Sequence, residues 1–257
     1  MFKVIRIILL SCVLLFVGFS AYTLDSNLRD WDETKWVVIY PINGDGSDVT
    51  HNFIEKIKDY DFDNMRDFLN SEAARFGVNK SPTFIVGLGP VLDDRPPAAP
   101  QNGRWYENAW WSLKLRMWAS GVSGASSAGP PADIKIYVEY YDPGNYEVLP
   151  HSVGMKKLSL AVVKAFASKK MTQSNNIIMT HELLHIFGAV DKYDLRTSLP
   201  LYPAGYADSD KQPLYPQHVA EIMGGRIPLS QSEAIIPTKF KNVTIGEVTA
   251  KEVGWLN

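Results

Sequence analysis

Residues 179 to 194 read MTHELLHIFGAVDKYD, and no other stretch of the 257-residue chain restricts the fold so tightly. His181 and His185 are four positions apart, the spacing that stacks two side chains on one face of a helix. Met179, Leu183 and Ile186 occupy the opposite stripe, which has to lie on a hydrophobic core. Ser174, Asn175 and Asn176 offer N-caps and Gly188 offers a C-terminal stop, which predicts a helix over about 177–187. Two imidazoles at this spacing can reach one zinc ion, each at about 2.0–2.1 Å. Glu182, rotated about 100° from His181, stands beside such an ion rather than on it, in reach of a bound water. A catalytic site needs a third protein ligand and one position left for water. Were the helix to continue past His185, Asp191 would lie about 9 Å further along its axis and could not share the ion. Gly188 can take a positive φ, break the helix and let the chain swing back, so the glycine and the aspartate make sense together.

Cysteine usage narrows the choice of metal ligands. Cys12 is the only cysteine and lies within an apolar run, so the rest of the chain has no disulfide, catalytic thiol or thiolate ligand. Any metal must be held by nitrogen and oxygen. That run, Ile7 to Phe19, follows Lys3 and Arg6 and precedes a polar stretch from Thr23, the pattern of an export signal. Val4 to Leu24 is also just long enough to span a bilayer if it stays uncleaved. Residues 1–24 are therefore expected to be a signal peptide or an N-terminal membrane anchor. Either one places residues 25–257 outside the cytoplasm, because the positive charges stay inside. At 46% hydrophobic composition those residues can bury the core of one domain. Lys and Arg number 26 against 28 Asp and Glu, so no overall field exists to recruit nucleic acid.

Upstream of the motif the pattern alternates strands and helices. KWVVIYPI (35–42) reads as a strand covered on both faces, and TFIVGLG (83–89) as another. Between them, 53–76 reads as one amphipathic helix carrying Met65, Phe68, Leu69 and Ala73 and ended by Gly77. This order predicts a parallel pair with a crossover helix. A loop over 93–103 leads to a helix over 106–120, whose Trp111, Leu115 and Trp118 form a packing stripe, followed by a flexible connector over 120–132. DIKIYVEYYD alternates as a half-buried strand, DPGN (142–145) is a turn, and a strand at about 158–166 precedes the motif helix.

HELLHIFGAVD resembles the zinc signature HExxHxxGxxD of the metzincin metalloproteases, in the aspartate variant found in snapalysin-type small secreted proteases. AEIMGG (220–225) is similar to the methionine turn that floors the metal site in that family, with Met223 as its methionine. The resemblance implies an α/β (α+β) fold with a twisted, mostly parallel sheet, an antiparallel edge strand, backing helices and a zinc-binding helix. It implies Zn2+ held by His181, His185 and Asp191, Glu182 as general base, and a protein or peptide as substrate. Zinc lowers the pKa of its water toward about 7, and Glu182 takes the proton and hands it to the leaving amine. Gly225 stands where some metzincins place a tyrosine for the oxyanion. That role is vacant or falls to Tyr193, Tyr206, Tyr215 or His218, among which the sequence does not choose. Latency through a cysteine plug is excluded.

Two other readings stay open. In a gluzincin-like site, Glu221 replaces Asp191 as third ligand. In a noncatalytic exported binding module, the metal is a structural staple; such sites are usually closed by four protein ligands, and Glu182 would then have no duty. Asp194, Asp208 and Asp210 match no calcium loop and read as solvated acids, and His51 and His151 receive no role. The Pro- and Tyr-rich part of 195–219 is expected to line or cover the cleft.

Overall fold

The computed structural model describes residues 26–100, 104–125 and 132–256, together with scattered positions before residue 26. The expected signal or anchor over 1–24 thus lies largely outside the described residues. Among the described residues no helix is long and apolar enough to cross a membrane.

Five strands form the central sheet: β1 (Lys35–Asn43), β2 (Phe84–Leu88), β3 (Ile134–Tyr141), β4 (Val153–Met155) and β5 (Leu160–Phe166). Their spatial order is β2-β1-β3-β5-β4. β1 pairs in parallel with β2 and β3, and β3 with β5, whereas β4 runs antiparallel along the outer edge of β5. The expected α/β architecture, mostly parallel with an antiparallel edge strand, is therefore present. Two helices, α1 (Asp48–Ile54) and α2 (Asp63–Arg75), connect β1 to β2. A third, α3 (Trp105–Ala125), connects β2 to β3, and α4 (Thr172–Phe187) follows β5. A short α5 (Glu247–Glu252) lies near the C-terminus.

Strand alternation sorts the side chains of the sheet into two cores. Val37, Ile39, Ile136, Val138, Ala161 and Val163 pack with Met65 and Leu69 of α2 and with Met179 and Leu183 of α4. Val38, Tyr40, Ile42, Tyr137, Leu160 and Val162 pack with Leu115 and Ala119 of α3. β3 is consequently buried on both faces, not half-buried as its alternation predicts. α3 closes the second face, with the Trp118 ring 4.7 Å from that of Tyr137. Glu139, on that face of β3, is buried against Lys164 and the Arg95 guanidinium, whose Nε donates to it at 2.9 Å. Trp111, Leu115 and Trp118 are packing residues, and their helix runs on to Ala125, five residues into the expected connector.

The single helix expected over 53–76 is instead two helices with a short 3-10 turn, Asp59–Phe62, between them. Aspartates break it, because their carboxylates compete for backbone N–H groups. Asp61 accepts from Lys58 N–H at 2.9 Å, and Asp59 reaches across to accept from Leu88 N–H at 2.7 Å. Gly77 closes α2 with φ +84°, as its position after the apolar stripe predicts.

Candidate metal centre

The motif helix begins at Thr172, five residues earlier than its apparent caps suggest. Ser174, Asn175 and Asn176 lie inside the helix; Ser174 Oγ donates back to Met171 O at 2.9 Å, and the two asparagines bond to neighbouring segments. Asn175 clamps the end of β5, donating to Phe166 O at 2.9 Å and accepting from Phe166 N–H at 3.2 Å. Asn176 donates to Asp61 O at 2.7 Å. At the other end, Gly188 takes φ +108° and stops the helix as expected. Its N–H donates to His185 O and the N–H of Ala189 to Leu184 O, the paired closure that turns a chain sharply off a helix end.

That turn brings the Asp191 carboxylate back to the two imidazoles. His181 Nε2, His185 Nε2 and Asp191 Oδ1 form a nearly equilateral triangle, with separations of 3.1 Å between the imidazoles and 3.0 and 3.2 Å to the carboxylate. Ligands of a tetrahedral ion with bonds of about 2.0–2.1 Å stand about 3.3 Å apart, close to this triangle. Both imidazoles are oriented by the backbone: His181 Nδ1 lies 2.9 Å from Ile222 O, and His185 Nδ1 lies 2.7 Å from Ala189 O. A carbonyl can only accept, so each Nδ1 carries the proton and each Nε2 presents a lone pair. Two lone pairs and a carboxylate oxygen converging within hydrogen-bond distance repel one another unless a cation sits among them. Among the described residues this is the one His/Cys/Asp/Glu group spaced to hold an ion.

Neighbouring bonds fix the loop that carries Asp191. Val190 N–H and Lys192 Nζ both donate to Glu252 Oε2 on α5, at 3.1 and 2.6 Å. Lys192 N–H donates to Met223 O at 2.8 Å. Met223 is fully buried in the turn Ile222–Gly224, whose preceding carbonyl, Ile222 O, receives the His181 proton. The turn that sequence likeness singles out therefore braces His181 directly and Asp191 through the adjoining loop. Burial pushes the Asp191 carboxyl up; when protons on Nε2 rather than a metal fill the triangle, the hydrogen bonds and charge of His181 and His185 outweigh it and hold the group well below the usual carboxylate range.

Glu182 is almost fully buried. Burial raises its carboxyl, opposed by His181 and His185 and by the N–H of Gly154 on β4, with Asp191 adding to the rise. Gly154 is a residue that sequence reasoning missed. A Cβ placed on it would lie 2.2 Å from Glu182 O and 2.9 Å from His185 Cβ. Only glycine lets the edge strand press so closely on the metal helix. The Gly154→Ala variant is expected to lose about 1–3 kcal/mol in denaturant unfolding, the usual cost of overpacking, and to bind zinc more weakly as β4 is displaced.

Of the four candidates for oxyanion stabilisation, Tyr193 belongs to the site. Its ring centroid lies 6.4 Å from that of His181. Burial first, then the charges of Asp191 and Glu182 and a hydrogen bond to Asp191, push its phenol up to about 12, so it remains a donor at neutral pH. Tyr206 and Tyr215 instead hydrogen-bond each other through their hydroxyls at 2.8 Å. Glu221, the alternative third ligand, is turned away from the triangle. It is fully buried and accepts from Gly224 N–H at 2.9 Å, Gly246 N–H at 3.1 Å and Thr249 Oγ1 at 2.6 Å. Asp194 accepts from the N–H groups of Arg196 and Thr197 in its own turn. His51 faces Glu55 on the surface, whereas His151, which the sequence leaves without a role, lines a cleft of about 320 Å³ together with His181. Ile177, Ile178, Ile236 and Pro237 give that cleft apolar walls. Leu195 and Ser198 are the parts of the 195–219 loop that reach it.

Comparison of the sequence with protein-family models finds no match, and comparison with curated proteins finds none either.

Proposed function

We propose that this chain is an exported, zinc-dependent endopeptidase that hydrolyses peptide bonds with Glu182 as general base. The observation that carries this reading is the convergence of the His181 and His185 lone pairs and the Asp191 carboxylate, with the Glu182 carboxylate buried next to them. His181, His185 and Asp191 would hold a zinc ion, which would supply Lewis acidity and lower the pKa of a water toward neutrality. Glu182, raised by burial, is a base suited to take a proton from the attacking water and return it to the leaving amine. The Tyr193 hydroxyl, kept protonated, can donate to the carbonyl oxygen as negative charge develops on it. The apolar cleft beside His181 favours a substrate with an apolar side chain next to the scissile bond. A purely structural zinc is usually enclosed by four protein ligands, and the group here has three.

The purified chain is expected to hydrolyse casein, to stop on chelation and to recover with zinc but not magnesium. Tyr193→Phe should lower kcat by about 10²-fold with zinc content unchanged, the cost of one oxyanion donor. Stoichiometric zinc without cleavage of casein or of a random peptide library would return the site to a structural role.

A further inference from the structure

We propose that the outward face of α3 docks on the surface of an anionic lipid bilayer. At about 100° per residue, Tyr106, Trp110, Leu113 and Met117 fall within an arc of about 60°, centred about 140° around the helix from the packed stripe of Trp111, Leu115, Trp118 and Val122. These four outward residues are 45%, 58%, 46% and 67% exposed. Trp105, at the start of the helix, is 82% exposed. α3 is thus apolar on two faces, and only one of them meets the sheet. Contiguous exposed apolar residues rimmed by polar ones mark contact surfaces.

Chemistry at the margins identifies the contact. On the helix circle Lys114 borders the exposed stripe on one side and Arg116 on the other, and Arg104 precedes its first turn. Over 104–125 these three cations face one anion, Glu107, a local excess of two positive charges on a chain of net charge −2. Lys114 Nζ lies 5.6 Å from the Trp110 ring centroid. Aromatic rings flanked by long basic side chains suit the bilayer interface, where rings sit at headgroup level and ammonium and guanidinium groups reach the phosphates. Residues 1–24, read from the sequence as an export signal or anchor, would also bring the chain to a membrane. Because α3 and α4 lie on opposite faces of the sheet, docking through α3 leaves the metal side toward solution. The proposal is independent of the metal site and of catalysis.

A test uses the full chain with Cys12→Ser, reconstituted with vesicles. A single cysteine carrying a polarity-sensitive fluorophore is placed at Met117, or as a control at exposed Val248 on α5. With phosphatidylglycerol vesicles, emission from position 117 is expected to shift to the blue while that from position 248 stays aqueous. With pure phosphatidylcholine the shift at 117 should be largely lost. Replacing Lys114 and Arg116 with serine should lower the ratio of docked to undocked chains by about thirtyfold, each basic residue near a charged surface being worth about fivefold. An aqueous signal at 117 in both vesicle types would overturn the proposal. So would an apolar signal at 117 without lipid, which would mean that a second copy or another part of the chain covers the stripe.

Discussion

Replacing Glu182 with glutamine is expected to leave one zinc ion per chain in place and to lower kcat on a peptide substrate by at least about 10³-fold. General-base catalysis contributes about 10²–10⁴ in rate, and this carboxylate sits where its loss should fall in the upper part of that range. Glutamine keeps the shape of the side chain, so its packing between α4 and β4 is preserved. What disappears is the capacity to accept a proton. Zinc content by mass spectrometry together with kcat from a quenched-fluorescence peptide separates loss of the base from loss of the metal. A variant that keeps both zinc and full turnover would show that proton transfer runs through another group.

The second large effect distinguishes two acidic residues that the sequence leaves in competition. Asp191→Ala is expected to weaken zinc binding by more than about 10²-fold, since even the loss of a group that merely orients a ligand costs about 10–100-fold. Glu221→Ala should instead act through folding. Its carboxylate accepts three hydrogen bonds in a fully buried position, from Gly224, Gly246 and Thr249. Removing it strands these donors, at a cost on the order of 3 kcal/mol or more. The folded fraction should still bind zinc with two imidazoles and Asp191. Isothermal titration and denaturant unfolding of the two variants are expected to give opposite patterns, and zinc affinity that collapses in Glu221→Ala while surviving in Asp191→Ala would reverse the ligand assignment.

Sequence pattern carried the local features of the site further than its surroundings. The i,i+4 histidines follow from helix geometry, and the glycine that ends the helix permits the aspartate to return; the three side chains do converge, although only the family resemblance favoured Asp191 over Glu221. The sheet was legible too, because β-branched runs mark strands covered on both faces. β3 was misread because alternation of Lys135, Tyr137 and Glu139 with apolar residues suggests a wet face. Burial of Glu139 depends on Lys164 and Arg95, which lie 25 and 44 residues away in the chain. The start of α4 was misplaced for a similar reason: Asn175 and Asn176 are good caps in isolation, but distant carbonyls at Phe166 and Asp61 claim their amides. Gly154 and His151 lie about thirty residues before the motif, and no local pattern links them to it. Their proximity to Glu182 and His181 is created by the pairing of β4 with β5.

The exposed stripe on α3 was also hidden in the sequence. A helix with two apolar faces has no single polar side to mark its orientation, and the packed stripe of Trp111, Leu115 and Trp118 draws attention away from Trp110 and Met117.

His181, His185 and Asp191 are expected to hold one zinc ion jointly. X-ray absorption at the zinc edge of the metal-loaded chain tests it most directly. Four nitrogen or oxygen neighbours are expected at about 2.0–2.1 Å, two of them with the outer-shell signature of imidazole. A third imidazole, or the absence of any tightly bound ion in zinc-replete protein, would contradict it.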